Sequence, residues 1–402
     1  MIKIDSLNDN GKGIAKLNGK IVFVNNAVPN EIVNIKIIKE KSKYIEADVS
    51  KYLKLSTLRE KVSCPYYDKC GGCNIMHLNY KDQLNFKYEK VKNILRKYVK
   101  EDININNIIS SKSILNYRNK VTFQVDNKIG FFSEKTHDLI KIDNCLIAND
   151  LINKSIKYLN KLDLIKVDKI ICRTFNNELM IIIETDNFNI NVDCIKEIAS
   201  SIYIKYKNNY TCIYGKKYLT QDLGKYKFSI YPDAFFQINI DVCNKLYTKI
   251  KEYLIDSKNI LDLYCGTGSI GIFVSENKNI TGIEINNQAI KNAIKNKELN
   301  NLKNINFICG DSGKSIKNLG SNFDSIIIDP PRNGLNKDTI NNILKIAPNK
   351  IIYVSCDIMT LARDLNILKN EYKIVEITPF DMFPNTYHVE CVAFLEKKQL
   401  IL

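Results

Sequence analysis

The run IIYVSCD, residues 351–357, is an apolar, β-branched stretch that ends in a cysteine. Such a stretch is typical of a buried strand, and the carboxyl end of a strand in an α/β sheet opens into the ligand crevice. Cys356 is therefore placed to act chemically on a bound molecule. The alternative is a core thiol, because free cysteine is among the most buried residue types.

A glycine-rich turn and three acids predict a second ligand. Residues 261–272, LDLYCGTGSIGI, form an apolar strand that turns through glycines into a helix, so a ligand can approach the backbone at a helix N-terminus. Glu284 ends the next strand about 20 residues on, where an acid can accept both ribose hydroxyls. Asp311 ends the following strand, where it could meet an adenine amino group, and Asp329 ends the one after that.

These acids stand at successive strand ends without a phosphate-binding lysine. That pattern favours an adenosine ligand with no required polyphosphate, so S-adenosylmethionine fits better than NAD or ATP. Each acid could instead be a helix N-cap.

A third group of residues has metal-ligand spacing. Cys64, Cys70 and Cys73 form C-x5-C-x2-C on a loop with two glycines, which let the backbone wrap closely around a metal centre. A closed site needs a fourth thiolate, and spacing alone does not choose Cys145 over Cys172. Zinc and an iron–sulfur cluster both suit thiolate ligands. His77 lies just after this loop and is interpreted as structural.

Composition limits the class of protein. The chain has 402 residues, for which two or three domains are expected, and a formal net charge of +15, which favours an anionic partner such as nucleic acid. Richness in Lys, Asn and Ile could reflect coding bias instead. The 12 cysteines do not read as a disulfide framework. Without a membrane-spanning run or a signal peptide, a cytoplasmic location is expected.

Three regions follow from the patterning. Residues 1–55 alternate apolar and polar positions between turns and predict a small antiparallel β-barrel of the OB type. Residues 56–227 predict a central β-rich domain that carries the cysteine loop. It includes an amphipathic helix with a basic outer face at 76–99 and a second helix at 149–162.

The third region, 228–402, alternates strands with helices and predicts an α/β fold with a doubly wound, mostly parallel sheet. A final hairpin-like pair suggests an antiparallel strand joining the edge. The expected strands are 259–264, 280–285, 305–309, 325–329, 350–355, 373–378 and 389–395.

Taken together, these motifs resemble the RNA uracil-C5 (5-methyluridine) methyltransferases over nearly the whole chain. The N-terminal barrel is similar to that family's TRAM domain, and the cysteine loop followed by Cys145 is similar to its iron–sulfur signature. The matching catalytic-domain motifs are FQIN (236–239), LYCGTG (263–268), GIE (282–284), DPPR (329–332), SC (355–356) and HVE (388–390).

The resemblance implies a class I S-adenosylmethionine-dependent methyltransferase fold and a residue for each role. It implies Cys356 as the nucleophile and Glu390 as the proton acceptor. The implied cofactor contacts are Gln237, Tyr264, Glu284 and Asp329. The implied ligands of a [4Fe-4S] cluster are Cys64, Cys70, Cys73 and Cys145. Zinc is the alternative to the cluster.

The resemblance also implies the RNA. Members with both the barrel and the cluster are usually associated with 23S ribosomal RNA, which is the expected substrate, without a membrane or an obligate protein partner. Transfer RNA is one alternative. The other is a non-catalytic RNA-binding or assembly factor on the same fold, which would lack the nucleophile or the base.

Uracil C5 is too weakly nucleophilic to take a methyl group directly. Addition of a thiolate to C6 makes an enolate and raises electron density at C5, and a base must later remove the C5 proton. A free thiol has a pKa near 8.5, so Cys356 needs help to ionise. The sulfonium charge or a helix N-terminus at Met359 could supply that help, and Asp329 could also bond a uracil edge.

Overall fold

The structure, a computed structural model, describes residues 1–133, 136, 138–320 and 322–399. Within these residues three large sheets are formed by consecutive segments of the chain, as the hydrophobic patterning predicts. No helix in the described part of the chain combines the length and the apolar character needed to cross a membrane.

The N-terminal region forms a six-stranded sheet in the order β1-β5-β6-β4-β3-β2. Its apolar side chains, such as Ala15, Val22 and Val24, gather in one core. Asn18 and Gly19 both have positive φ, the conformation that a tight hairpin requires. The predicted all-antiparallel pairing is wrong at one place, because β4 and β6 pair in parallel. The strands are β1 (Ile2–Lys3), β2 (Ser6–Leu7), β3 (Gly13–Leu17), β4 (Lys20–Asn25), β5 (Ile32–Glu40) and β6 (Tyr44–Lys54).

The central region is a seven-stranded sheet in the order β13-β12-β11-β10-β7-β8-β9, followed by the hairpin β14-β15. Strand-like alternation at residues 120–125, 129–132, 169–174 and 179–184 of the sequence predicts four of these strands, and the structure confirms them as β7, β8, β10 and β11. The predicted second helix is α2 (Asp150–Leu159), capped by Asn149, and a short helix α3 (Asp193–Lys196) follows. The strands are β7 (Lys120–Asp126), β8 (Lys128–Phe132), β9 (Leu139–Lys141), β10 (Val167–Phe175), β11 (Glu178–Thr185), β12 (Ser201–Tyr206), β13 (Asn209–Gly215), β14 (Leu219–Leu223) and β15 (Tyr226–Ile230).

The C-terminal region is the predicted doubly wound sheet, in the order β18-β17-β16-β19-β20-β22-β21. The first five strands pair in parallel. The strands are β16 (Asn259–Leu263), β17 (Asn279–Glu284), β18 (Ile305–Cys309), β19 (Ser325–Ile328), β20 (Lys350–Ser355), β21 (Tyr372–Phe380) and β22 (Glu390–Lys397). The helices are α4 (Ile240–Tyr253), α5 (Ser269–Val274), α6 (Asn287–Leu299), α7 (Ser312–Ser315), the 3-10 helix η1 (Ile316–Asn318), α8 (Lys337–Ile346) and α9 (Ile358–Leu368).

The position of the antiparallel strand differs from the expectation. β22 pairs antiparallel with both β20 and β21, so it lies inside the sheet and β21 forms the edge. The chain reaches β22 through residues 381–389, here called the 381–389 connection. This arrangement brings the first residue of β22 to the carboxyl end of β20, because antiparallel neighbours start where their partners finish.

The predicted basic helix is α1 (Tyr80–Tyr98). Its Val91 and Leu95 belong to one apolar core with Leu361 and Leu365 of α9. Although α1 follows the cysteine loop in sequence, it packs on the C-terminal sheet layer. The domain boundaries at 55/56 and 227/228 remain predictions.

Candidate active site

The carboxyl edge of the C-terminal sheet gathers the predicted catalytic residues. Asp329 follows β19, Cys356 follows β20, and Glu390 begins β22. Ser355 pairs with Cys391 across the β20–β22 ladder, so the next pair of positions is Cys356 and Glu390. Because β19 is the other neighbour of β20, the thiol lies between two carboxyl groups on adjacent strands.

The Cys356 thiol is half-buried, and its surroundings favour the neutral form. Burial, with added contributions from the nearby carboxyls of Glu390 and Asp329, raises the pKa of Cys356 to about 11. The guanidinium of Arg332 opposes this shift by its charge and by a hydrogen bond to the sulfur. At neutral pH the thiol of the free protein is therefore protonated.

The expectation that a helix N-terminus activates Cys356 is not supported by the contacts. The backbone N–H groups of Met359 and Thr360 both donate to Asp357 Oδ1 at 3.0 Å, so a carboxylate already caps this end of α9. The positive group beside the sulfur is Arg332, which is present in the DPPR motif but had no role in the sequence analysis.

The loop that carries Arg332 is attached to α9. Thr360 Oγ1 donates to the Arg332 carbonyl at 3.1 Å, and Arg363 Nη2 donates to the Asn333 carbonyl at 2.9 Å. One turn further on, Leu335 N donates to Asp364 Oδ2 at 2.8 Å. These bonds hold the loop after β19 against the helix that begins just after Cys356.

Glu390 is 4% exposed, and burial raises its pKa well above the usual range, with a further contribution from Asp329. Burial likewise raises the pKa of Asp329 to about 7. Cys243 of α4 is fully buried and close enough that both carboxyls raise the pKa of its thiol in addition to burial. Nothing in the local sequence pattern distinguishes Cys243 from an ordinary core thiol.

The predicted cofactor turn joins β16 to α5. Tyr264 has a φ of 62°, a left-handed conformation that is unusual for a tyrosine and typical of functional turns. Gly266 N donates to Glu284 Oε2 at 3.2 Å, and Asn286 N donates to Oε1 at 2.8 Å. The Glu284 carboxylate is therefore fixed beside the glycine turn, as a ribose contact requires.

Asp311 follows β18 and caps α7, because its Oδ1 accepts from Lys314 N at 3.0 Å. The N-cap alternative is thus present in the structure. Asp311 and Glu284 both lie near enough to Tyr264 to raise the pKa of its phenol, although burial is the larger cause. Asp311 therefore caps α7 at the same edge of the sheet as the glycine turn.

Gln237 is mostly buried in the loop between β15 and α4. The central sheet holds this loop: Asn119 Nδ2 donates to the Gln237 carbonyl at 2.9 Å, and Arg173 Nη1 donates to the Tyr231 carbonyl at 2.9 Å. Asn239 then caps α4, the helix whose Cys243 faces Asp329 and Glu390.

The four predicted metal ligands line one cavity of about 510 Å³, far from the glycine turn in sequence and topology. Burial raises the pKa of the Cys73 thiol above its usual range, and the neighbouring thiols of Cys145 and Cys70 add to the shift. Cys172 lies instead in the core of the central sheet, 3.8 Å from Ser155 Oγ. Of the two candidates for the fourth position, the structure brings Cys145 to the loop.

His77 is fully buried and lies 2.5 Å from the Tyr67 hydroxyl. Burial lowers the pKa of His77 to about 3, which suits a neutral, structural side chain. In the described residues, no three or more His, Cys, Asp or Glu side chains are arranged to hold a single metal ion. A single zinc ion requires sulfurs about 2.3 Å from one point, and hence about 3.8 Å apart.

The doubly wound sheet, with its glycine turn after β16 and an acid at the end of β17, defines an S-adenosylmethionine-dependent methyltransferase fold. The chain belongs to the tRNA (uracil-5-)-methyltransferase family, whose model matches residues 177–398, and the TRAM domain model matches residues 1–50. It is therefore an RNA methyltransferase.

Similar proteins cover the whole chain. A protein of Aquifex aeolicus is 35% identical over 99% of this chain and 98% of its own length, and one of Clostridium tetani is 34% identical over 98% and 95%. Both are described as uncharacterized RNA methyltransferases. The crystal structure of Pyrococcus abyssi tRNA (uracil-54, C5)-methyltransferase in complex with S-adenosyl-L-homocysteine is 28% identical, with a TM-score of 0.80, covering 98% of this chain and 100% of that one.

Proposed function

We propose that this protein transfers a methyl group from S-adenosylmethionine to C5 of a uridine in RNA, through a covalent bond between Cys356 and uracil C6. The observation that carries the proposal is the position of Cys356 and Glu390 directly beyond the last pair of the β20–β22 ladder, Ser355 with Cys391, and of Asp329 at the end of the adjacent strand β19. A nucleophile and a proton acceptor at one crevice are the groups that this reaction needs.

These residues and the methyl donor supply every step. The electron pair of the Cys356 thiolate forms the C6–S bond, and the C5=C6 π electrons shift towards the C4 carbonyl to give an enolate. The C5 carbon then attacks the methyl group of the sulfonium. The bond between that methyl group and sulfur breaks, and the rest of the donor leaves as a neutral thioether. Glu390 then removes the C5 proton, the C5=C6 double bond re-forms, and the C6–S bond breaks.

The residues fit a sulfonium donor. Burial raises the pKa of Cys356, Glu390 and Asp329, and the neighbouring carboxyls add to the shift of Cys356 and Glu390. A cation bound among them lowers those pKa values and favours the thiolate and the carboxylate. We assign cofactor contacts to Gln237, Tyr264, Glu284, Asp311 and Asp329, with Asp329 also able to bond a uracil edge.

Two variants test the mechanism. Cys356→Ala removes the nucleophile, so methyl transfer is expected to stop while RNA binding remains. Glu390→Gln keeps the shape of the base but cannot take the proton, so a covalent protein–RNA adduct is expected to accumulate on a denaturing gel. Cys212→Ala, a thiol on β13 of the central sheet, serves as the matched control. Full turnover in Cys356→Ala would remove the covalent mechanism.

For the substrate we propose 23S ribosomal RNA, since the chain carries both a TRAM domain and the cysteine loop. Transfer RNA is the second candidate, supported by the whole-chain similarity to the Pyrococcus abyssi tRNA enzyme. That similarity covers 98% of this chain. The presence of a TRAM domain and a cysteine loop therefore distinguishes a ribosomal from a transfer RNA substrate less clearly than expected. Mapping 5-methyluridine in both RNAs from cells with and without the gene distinguishes them.

We propose a [4Fe-4S] cluster on Cys64, Cys70, Cys73 and Cys145, and zinc as the alternative. Four thiols line one cavity, and thiolates are ligands that suit both an iron–sulfur cluster and zinc. A cluster or a zinc ion bound there would supply positive charge to the buried thiolates.

Metal analysis tests this assignment. Protein purified without oxygen is expected to contain iron and sulfide and to absorb visible light, and Cys70→Ser is expected to lose both signals. Stoichiometric zinc in colourless protein would favour the alternative. The Cys194→Ala variant, on α3 of the central region, is the control thiol.

The remaining assignments belong to the same proposal. Residues 1–55 and 56–227 would hold the RNA that flanks the target uridine, and residues 228–402 would carry the chemistry. The target base must leave its stack to reach Cys356. A cytoplasmic location and the absence of a membrane or obligate protein partner remain predictions.

A further inference from the structure

Asn385 lies in the 381–389 connection, five positions before the proposed base. It is 2% exposed, and all of its polar groups are hydrogen-bonded. Its carbonyl accepts from Asn74 N at 3.0 Å and from Ile75 N at 3.2 Å. These two donors directly follow Cys73, so the cysteine loop contacts the 381–389 connection through the backbone.

The other bonds of Asn385 reach two further segments. Gln83 of α1 receives a bond from Asn385 N at 2.9 Å and returns one from Nε2 to Oδ1 at 3.1 Å. Asn385 Nδ2 donates to the Ile114 carbonyl at 2.8 Å. The cysteine loop, α1 and the segment before β7 therefore meet at one residue.

The backbone of Asn385 has a φ of 67°, in the left-handed region that asparagine adopts more readily than most residues. The hydrogen bonds around it fix this conformation. The neighbouring carbonyls are also held: Tyr117 Oη donates to Pro384 O at 3.1 Å, and Lys87 Nζ donates to Phe383 O at 3.0 Å. The chain enters β22 from this fixed point and reaches Glu390.

We infer that Asn385 is a positioning residue that couples the cysteine site to the active site, so that the state of the Cys73 loop sets the position of Glu390. The inference rests on the proposed function, because it takes Glu390 as the base and the four cysteines as a metal site. A change in the loop when the cysteine site fills or empties moves Asn74 and Ile75, and these residues are bonded directly to the connection that leads to Glu390.

The test is a double-mutant comparison read by amide hydrogen exchange in residues 386–391. Cys73→Ser alters the cysteine site, and Gln83→Met removes both bonds of Gln83 to Asn385 while preserving its volume. Each variant is expected to speed exchange about ten-fold, the factor that losing one or two buried hydrogen bonds produces. The double variant is expected to exchange no faster than Gln83→Met alone, because both changes act on one route.

Independent effects that multiply to about a hundred-fold in the double variant would overturn the coupling. So would unchanged exchange in Cys73→Ser. Cys70→Ser replaces Cys73→Ser if the latter does not fold. Thr185→Ala is the control, since Thr185 is as buried as Asn385 and its hydroxyl donates to the Lys166 carbonyl at 2.7 Å at the end of β11 in the central sheet. Faster exchange of residues 386–391 in this control would also overturn the inference.

Kinetics separate positioning from general loosening. Gln83→Met is expected to lower kcat about ten-fold while leaving KM for S-adenosylmethionine unchanged, because it moves Glu390 and not the glycine turn. A higher KM with unchanged kcat would contradict the inference. If the wild-type protein transfers no methyl group to uridine, the proposed function fails, and the exchange rates still decide whether the coupling exists.

Discussion

At the scale of single residues, the proposed active site contains acidic groups that do not ionise easily. Asp329, Cys356 and Glu390 stand on three adjacent strands, and each has a pKa above its usual range. The free site therefore holds protons that a bound cation would displace. Arg332 supplies one positive charge beside Cys356, and we propose that the sulfonium supplies the second.

This arrangement predicts a pH-dependent affinity for the methyl donor. A group with a raised pKa is protonated below that value, so its attraction for a cation appears only as the pH rises through it. With Asp329 at about 7, S-adenosylmethionine is expected to bind about ten-fold more tightly at pH 8 than at pH 6. Titration calorimetry at several pH values measures this change.

S-adenosylhomocysteine provides the control, because its thioether is neutral and the rest of the molecule is alike. Its affinity is expected to change little over the same range. Asp329→Asn should flatten the pH dependence for S-adenosylmethionine. Parallel curves for the two ligands in the wild-type protein would contradict the electrostatic account.

At the scale of elements, the turn between β16 and α5 is shaped by two glycines with different surroundings. Gly266 and Gly268 both have positive φ, at 54° and 75°. A Cβ on Gly266 would meet open space, whereas one on Gly268 would lie 2.5 Å from the Phe307 ring. The first glycine is thus required by conformation alone, and the second by conformation and packing.

These positions give a matched pair of variants. Gly266→Ala is expected to cost about 1 kcal/mol of stability, from the left-handed backbone. Gly268→Ala should cost about 1–3 kcal/mol more, from overlap with Phe307. Urea unfolding measures both values. Equal losses would show that Phe307 moves away freely and that packing does not constrain the turn.

At the scale of the whole molecule, α1 connects regions that are distant in sequence. Lys87 on α1 forms an ion pair with Asp381, and both side chains are fully buried. Tyr80 Oη donates to the second carboxylate oxygen of Asp381 at 2.9 Å. Burial lowers the pKa of Lys87, while the charge of Asp381 opposes that shift. A fully buried charge such as that of Asp381 is stable only when its oppositely charged partner is present.

Removing one member should therefore be costly. Lys87→Met leaves the Asp381 carboxylate buried without its ion-pair partner, and a loss of about 3–5 kcal/mol is expected. Lys20→Met provides the comparison, because the Lys20–Glu40 pair is solvent-exposed and worth less than about 1 kcal/mol. Urea unfolding of both variants tests the difference. A similar small loss in each would mean that water reaches Asp381 when Lys87 is absent.

The sequence alone predicted the parallel strands of the C-terminal sheet and the residues at their ends. Apolar runs that stop at Glu284, Asp329 or Cys356 predict the edge of a parallel sheet, since hydrophobic periodicity and glycine turns are local signals. The C-x5-C-x2-C spacing likewise predicted a thiolate site. Local signals also located α1 and four of the nine central strands that the structure describes, with boundaries shifted by a few residues.

Only the tertiary structure decided which distant segments meet. It placed β22 inside the sheet, chose Cys145 over Cys172, set Arg332 beside Cys356, and packed α1 on α9. These contacts join residues that are tens to hundreds of positions apart. They depend on strand pairing and on the burial of shared surfaces, which leave no periodic mark in the chain.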